Sequence, residues 1–166
     1  MIFVTSQEPD YDNPWQTEAP SYFVFGGLVF QRLTLDYMAT WSDWWEKEPA
    51  EFLHLFYSGV CTQKQQEIVI LGQILGDEIN EGYQRFHDEV VASVNGTIPR
   101  NLPHFVEILE DGHRSVEIRM SSGGVIVFDS GAVKKANARI MKKYQIPAVK
   151  RMETLTPKLI GRGVSL

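Results

Sequence analysis

A single cysteine, Cys61, among 166 residues rules out an internal disulfide and any zinc cluster built on cysteines. No apolar run reaches the roughly twenty residues that a membrane-spanning helix needs, and Met1-Ile2-Phe3-Val4 gives way at once to polar residues, unlike a secretory leader. Histidine is scarce. His54, His87, His104 and His113 show no H-x-x-x-H or similar ligand spacing, so each is expected as an ordinary surface or half-buried side chain, with no metal and no cofactor. Residues 134–151 contain no acid but seven Lys and Arg, whereas acids dominate the first sixty positions. The net charge of −5 argues against general nucleic-acid binding.

What the chain does have is core material. It is 43% hydrophobic, with nine Phe, six Tyr and four Trp, enough for one well-cored domain. The most informative stretch is Tyr22-Phe23-Val24-Phe25-Gly26-Gly27-Leu28-Val29-Phe30, uncharged and β-rich, with a glycine pair as a sharp bend between two strand pieces. Two glycines permit positive φ and leave backbone N–H groups uncovered, so the pair fits either a tight bend in a core strand or a close approach by a ligand's carboxylate. Residues 67–75 read as a strand buried on both faces. Residues 77–86 form a turn or short helix around Gly82, and 89–96 form a strand running into an Asn-Gly turn. Residues 116–120 and 125–128 flank Ser121-Ser122-Gly123-Gly124 as a hairpin.

Helical spacing appears in four places. Thr34 caps a short helix with Leu35, Met38 and Trp41 on one face, and Pro49 opens a second that carries Phe52, Leu53 and Phe56 inward and ends near Gly59. Asn101 caps a helix over Leu102–Glu110 that stops at Asp111-Gly112, with Leu102, Phe105, Val106 and Leu109 on its core stripe. His104 and Ile108 lie four apart on another face, which points to a second apolar surface or groove. A last helix over 131–144 stacks Ala132, Val133, Ala136, Ile140 and Met141 against the body, with Lys142 and Lys143 complementing its dipole. Trp15 is a candidate anchor and Trp44-Trp45 reads as packing. Residues 1–20 read as an arm or linker, 21–147 as the domain with a helical insertion at about 33–62, and 148–166 as a tail.

In this order the elements resemble the PDZ domain of Do-like (HtrA/Deg) serine proteases, and most nearly their C-terminal PDZ domain, including that of the plant Deg enzymes. The residues that carry the likeness are 22–34, Ile68-Val69-Ile70-Leu71, 77–83, Val94-Asn95-Gly96, Asn101-Leu102, Ala136-Asn137 and Tyr144-Gln145-Ile146-Pro147. The resemblance implies an α+β fold: a PDZ-like, partly open barrel or sandwich with two capping helices, the insertion after the second strand and an extra C-terminal helix. It implies a carboxylate-cupping loop at Phe25-Gly26-Gly27-Leu28 and a peptide-pairing strand at Val29-Phe30-Gln31-Arg32. The other groove wall would be the Leu102–Glu110 helix, through His104, Phe105 and Ile108, so that peptides bind by β-augmentation.

Chemistry is expected elsewhere. Met120-Ser121-Ser122-Gly123-Gly124 echoes a serine nucleophile loop but lacks the leading glycine and sits between two strands. Asp77-Glu78 and Asp88-Glu89 read as solvated charge, and Asn95-Gly96-Thr97 as a turn rather than a glycosylation site. The chain is therefore expected to be non-catalytic, a piece of a trypsin-like endopeptidase in a compartment that the sequence leaves open. Two roles fit: recognition of extended, apolar-ended C-terminal peptides, or docking of protease protomers with the groove occluded. Protein C-termini and other protomers are the expected partners. The ending Val164-Ser165-Leu166 has the shape of such a peptide, against a plain loose terminus.

Overall fold

The glycine pair is the whole of a hairpin turn. In the computed structural model, which describes residues 20–40, 50–58 and 64–152, strands β1 (Tyr22–Phe25) and β2 (Leu28–Arg32) run antiparallel with Phe25 opposite Leu28. Gly26 and Gly27 have φ of 61° and 82°. Two successive positive φ values give the turn whose twist matches right-twisted strands, and glycine adopts them without strain.

β3 (Val69–Ile74) pairs with the other edge of β2, with Gly72 bulged out between the partners of Val29 and Phe30. β4 (Glu89–Val94) follows. β5 (Ser115–Met120) and β6 (Val125–Asp129) form a hairpin, and β7 (Lys150–Arg151) returns to pair with β1. The order is β6-β5-β4-β3-β2-β1-β7, antiparallel throughout and not closed into a barrel. At the outer edge of β6, the Tyr83 hydroxyl donates to the carbonyl of Val127 and accepts its N–H, both at 3.2 Å.

Strand alternation sorts the core into two faces. Phe23, Phe25, Leu28, Phe30, Val69 and Leu71 join helix α3 (Leu102–Glu110) in the main cluster. Ile68 and Ile70 point the other way, where α1 (Leu35–Met38) and α2 (Ala50–Ser58) cover them with Met38 and Phe52. The first half of β3, Val69 to Leu71, is thus buried on both faces because the helical insertion covers the second one, whereas Gln73, in the half expected to be buried as well, is exposed. Val24 and Leu75 meet α4 (Ser130–Tyr144) through Ala136 and Ile140.

The caps explain the helix ends. Thr34 Oγ1 accepts the Tyr37 N–H at 3.1 Å, Asn101 Oδ1 that of His104 at 2.9 Å, and Asp129 Oδ1 that of Ala132 at 2.8 Å. Gln145 closes α4 in the left-handed conformation, φ 55°. Two 3₁₀ turns, Glu78–Asn80 and Gln84–Phe86, flank Gly82. Two details differ from the sequence reading. Ala132, expected inside, is exposed. The stretch past Pro147, read as tail, adds an edge strand, with the Val24 N–H donating to Val149 O at 2.8 Å. Trp15, Trp41, Trp44, Trp45, Cys61, Val164 and Leu166, and the expected helix ends at Pro49 and Gly59, lie outside the described residues.

Candidate functional site

Three backbone polar groups of the Gly26-Gly27 turn, the Gly26 N–H and both carbonyls, are engaged by the protein itself. The Gly26 N–H donates to Asn137 Oδ1 at 2.9 Å, and Asn137 Nδ2 reaches back to Val24 O at 3.4 Å. Beneath the turn lies Asn80, fully buried, whose Nδ2 donates to Gly26 O and Leu75 O, both at 2.8 Å. Its Oδ1 accepts the Asp77 N–H at 3.1 Å, and Leu75 N donates to Gly27 O at 2.7 Å. A buried amide in this position satisfies carbonyls that would otherwise be stranded in a dry interior.

Strand β2 is equally committed. Val29 stands between Val24 and Gln73, Phe30 between Phe23 and Leu71, and Gln31 between Tyr22 and Ile70. An extended peptide could pair with β2 only by displacing β1 or β3. The expected groove residues disperse accordingly. Phe25, Leu28, Phe30 and Phe105 are buried together, with Ile108 packed on them, and the Phe30 and Phe105 rings are 4.6 Å apart. Val29 faces the opposite cluster beside Val24, and Gln31 is half-buried against Gly72. His104 sits at the start of α3, where its Nδ1 accepts the Arg100 N–H at 3.0 Å. His104 works locally in helix entry and Ile108 in core packing.

Sequence reasoning missed Asn80, Asn137, Asp77 and Arg139. The Asp77-x-x-Asn80 spacing was the available signal, since it forms a reciprocal cap on the 3₁₀ turn. These residues fasten α4 across the hairpin turn. Arg139 grips the Asp77 carboxylate with two donors, Nε at 2.9 Å and Nη2. Lys143 Nζ and Tyr144 OH both donate to Gly76 O, at 2.9 and 3.0 Å. The Arg139 bond is the main influence on Asp77: it holds the carboxyl below its ordinary range despite partial desolvation, helped by the Ile79 N–H.

The consequence for acid stability has a definite sign. A carboxyl depressed in the folded state contributes stability above its unfolded pKa, about 4, and that contribution disappears as pH falls through the folded value. Chemical denaturation of the wild type and Asp77→Asn should therefore show a gap at pH 7 that narrows toward about pH 3. A gap of the same size at both pH values would show that the Asp77 charge does not hold α4.

Ser121 and Ser122, the nucleophile echo, donate to carboxylates rather than to an imidazole: Oγ to Glu51 Oε2 at 2.6 Å and to Glu89 Oε2 at 2.7 Å. Among the described residues no cluster could hold a metal ion, and no helix is long and apolar enough to cross a membrane. A cleft of about 330 Å³ lies where β3 runs on beyond its pairing with β4, lined by Gly72, Gln73, Ile74, Gln84 and His87. None of the expected groove residues contributes to it.

A family model described as PDZ domain matches residues 13–151. The chain is 33% identical over 143 residues to "Putative protease Do-like 3, mitochondrial" of Arabidopsis thaliana, covering 85% of this chain and 24% of that protein. It is 31% identical over 145 residues to "Protease Do-like 2, chloroplastic" of the same plant, covering 83% and 23%. It is 33% identical over 90 residues to "Serine protease DegP homolog" of Plasmodium falciparum (isolate 3D7), covering 54% and 10%. The chain thus spans about a quarter of the length of the plant relatives.

Proposed function

Because this chain belongs to the PDZ domain family, in the form found in Do-like proteases, we propose that it serves such a protease as a docking domain whose peptide-pairing edge is closed by its own hairpin. The observation that carries this reading is the double pairing of β2, with β1 on one side and β3 on the other. β-Augmentation needs a strand edge with unspent N–H and C=O groups. Here Leu28 to Gln31 each have a partner on both sides, and the N–H that opens the glycine loop is bound to Asn137.

The domain is not the catalytic part of a protease, so the proteolytic chemistry belongs to other sequence in a protein of which this is one domain. The relatives' names place them in mitochondria and chloroplasts, which supports an organellar setting for this chain. In such a protein the domain supplies a folded surface against which other protein parts are held.

The test is a titration of isotope-labelled protein with a peptide ending in a free, apolar C-terminus, and with its amidated form. A closed edge predicts no saturable shift in the amides of Gly26 to Gln31 up to about millimolar peptide, the weak end of specific recognition. Saturable shifts confined to those amides and abolished by amidation would establish C-terminal peptide capture instead.

A further inference from the structure

The outer face of α4 carries more cation than its neighbours use. Lys134, Lys135, Arg139, Lys142 and Lys143 are all exposed. Arg139 is bound to Asp77 and Lys143 to Gly76 O. Lys134, Lys135 and Lys142 have no carboxylate partner among the described residues. Lys135 and Lys142 are seven residues, about two turns, apart, on the side opposite the buried stripe of Val133, Ala136 and Ile140.

The complementary surface lies at the end of α3. Glu107, Glu110 and Asp111 are exposed there, and the last turn of the helix holds no basic residue to offset the negative end of its dipole. Lys150 pairs with Glu110 at 2.9 Å and His113 lies 3.5 Å from Asp111, which leaves Glu107 without an ionic partner among the described residues. We propose that the outer face of α4 is a docking surface for a second copy of this chain, and that it receives the acidic end of that copy's α3. This rests on the docking reading above and names its surface.

Charge distribution selects a second copy over a polyanion. Residues 1–129 hold twenty acidic and seven basic side chains, and residues 130–166 hold nine basic and one acidic. A nucleic acid or an anionic bilayer drawn to α4 would be repelled by the rest of the molecule, whereas a second copy offers acid to base over a short contact. The two patches are different surfaces, so the contact is head-to-tail and would build rings or open chains rather than a two-fold dimer. Exposed pairs of this kind are weak singly and screened beyond about 8 Å at physiological salt, so the association is weak and salt-sensitive.

Sedimentation equilibrium of the whole chain at millimolar loading tests this. The wild type should exceed monomer mass at low salt and fall to monomer when salt is raised about tenfold, because screening shortens the reach of each charge. A variant with Lys134→Glu, Lys135→Glu and Lys142→Glu should be monomeric at low salt. So should one with Glu107→Lys, Glu110→Lys and Asp111→Lys. Mixing the two should restore association, because each retains one native patch and meets its complement. Glutamine in place of the three lysines is the milder variant, and its thermal melt establishes that folding is intact. A wild type that is monomeric at low salt, reversals that leave its mass unchanged, or a mixture that stays monomeric would each overturn the proposal. A silent peptide titration in the same protein would still leave the closed β2 edge standing.

Discussion

Replacing Gly27 with alanine should lower the unfolding free energy by about 4 kcal/mol, the sum of backbone strain and a collision with fixed atoms. The strain arises because φ is +82° at Gly27, where an L side chain crowds its own backbone. The collision is with atoms that cannot yield. A Cβ there would lie 2.5 Å from the carbonyl oxygen of Leu75 and closer still to Asn80 Nδ2. Moving Leu75 breaks its bond to Gly27 O, and moving Asn80 strands two buried carbonyls. Gly26→Ala is the control. The atoms nearest its Cβ would all belong to the Phe128 ring, the first at 3.1 Å, and a ring edge can shift. Urea denaturation of both variants should rank Gly27→Ala at least about twofold worse, with unchanged denaturant slope. Equal costs would mean that the turn is looser than its hydrogen bonds indicate.

Phe105→Ala should cost about 4 kcal/mol, within the range for emptying a large aromatic from a packed interior. Phe105 is fully buried, its ring 4.6 Å from that of Phe30 and 6.5 Å from that of Phe23. The position separates two pictures of α3. A groove-lining phenylalanine would be partly wet, and its loss would cost about 1 kcal/mol or less. Thermal and denaturant unfolding read the difference directly. A loss below about 1.5 kcal/mol would mean that the ring bordered an open groove rather than the core.

The elements were legible because their signals are local. The apolar run 22–30 broken by two glycines, the cap at Asn101 and the stripe of Leu102, Phe105, Val106 and Leu109 each encode a shape within a few residues. The double burial of Val69 to Leu71 could also be read, as unbroken hydrophobicity. The site could not be read this way. Whether β2 keeps a free edge depends on which strands flank it, and pairing over some forty residues to β3 leaves no mark in β2's own sequence. Asn137 looks like one polar residue on a lysine-rich helix, yet it contacts a turn 111 positions away. His104 and Ile108 share a helical face, but one ties down the helix entry and the other backs the core. Resemblance assigns the family's roles to positions in the chain without conveying what this fold packs against them.

The Tyr83 hydroxyl limits how the molecule can grow. An open sheet has two ends that could template a neighbour's strand, and runaway pairing of that kind is the usual origin of fibres in β-rich proteins. At one end the phenol occupies both hydrogen-bonding groups of Val127, in the middle of β6. At the other, β7 offers only two residues, Lys150 and Arg151, both cationic. Lateral growth of the sheet is thus blocked at one margin by a single side chain and at the other by shortness and like charge. Among the described residues, this leaves any contact between copies to side chains.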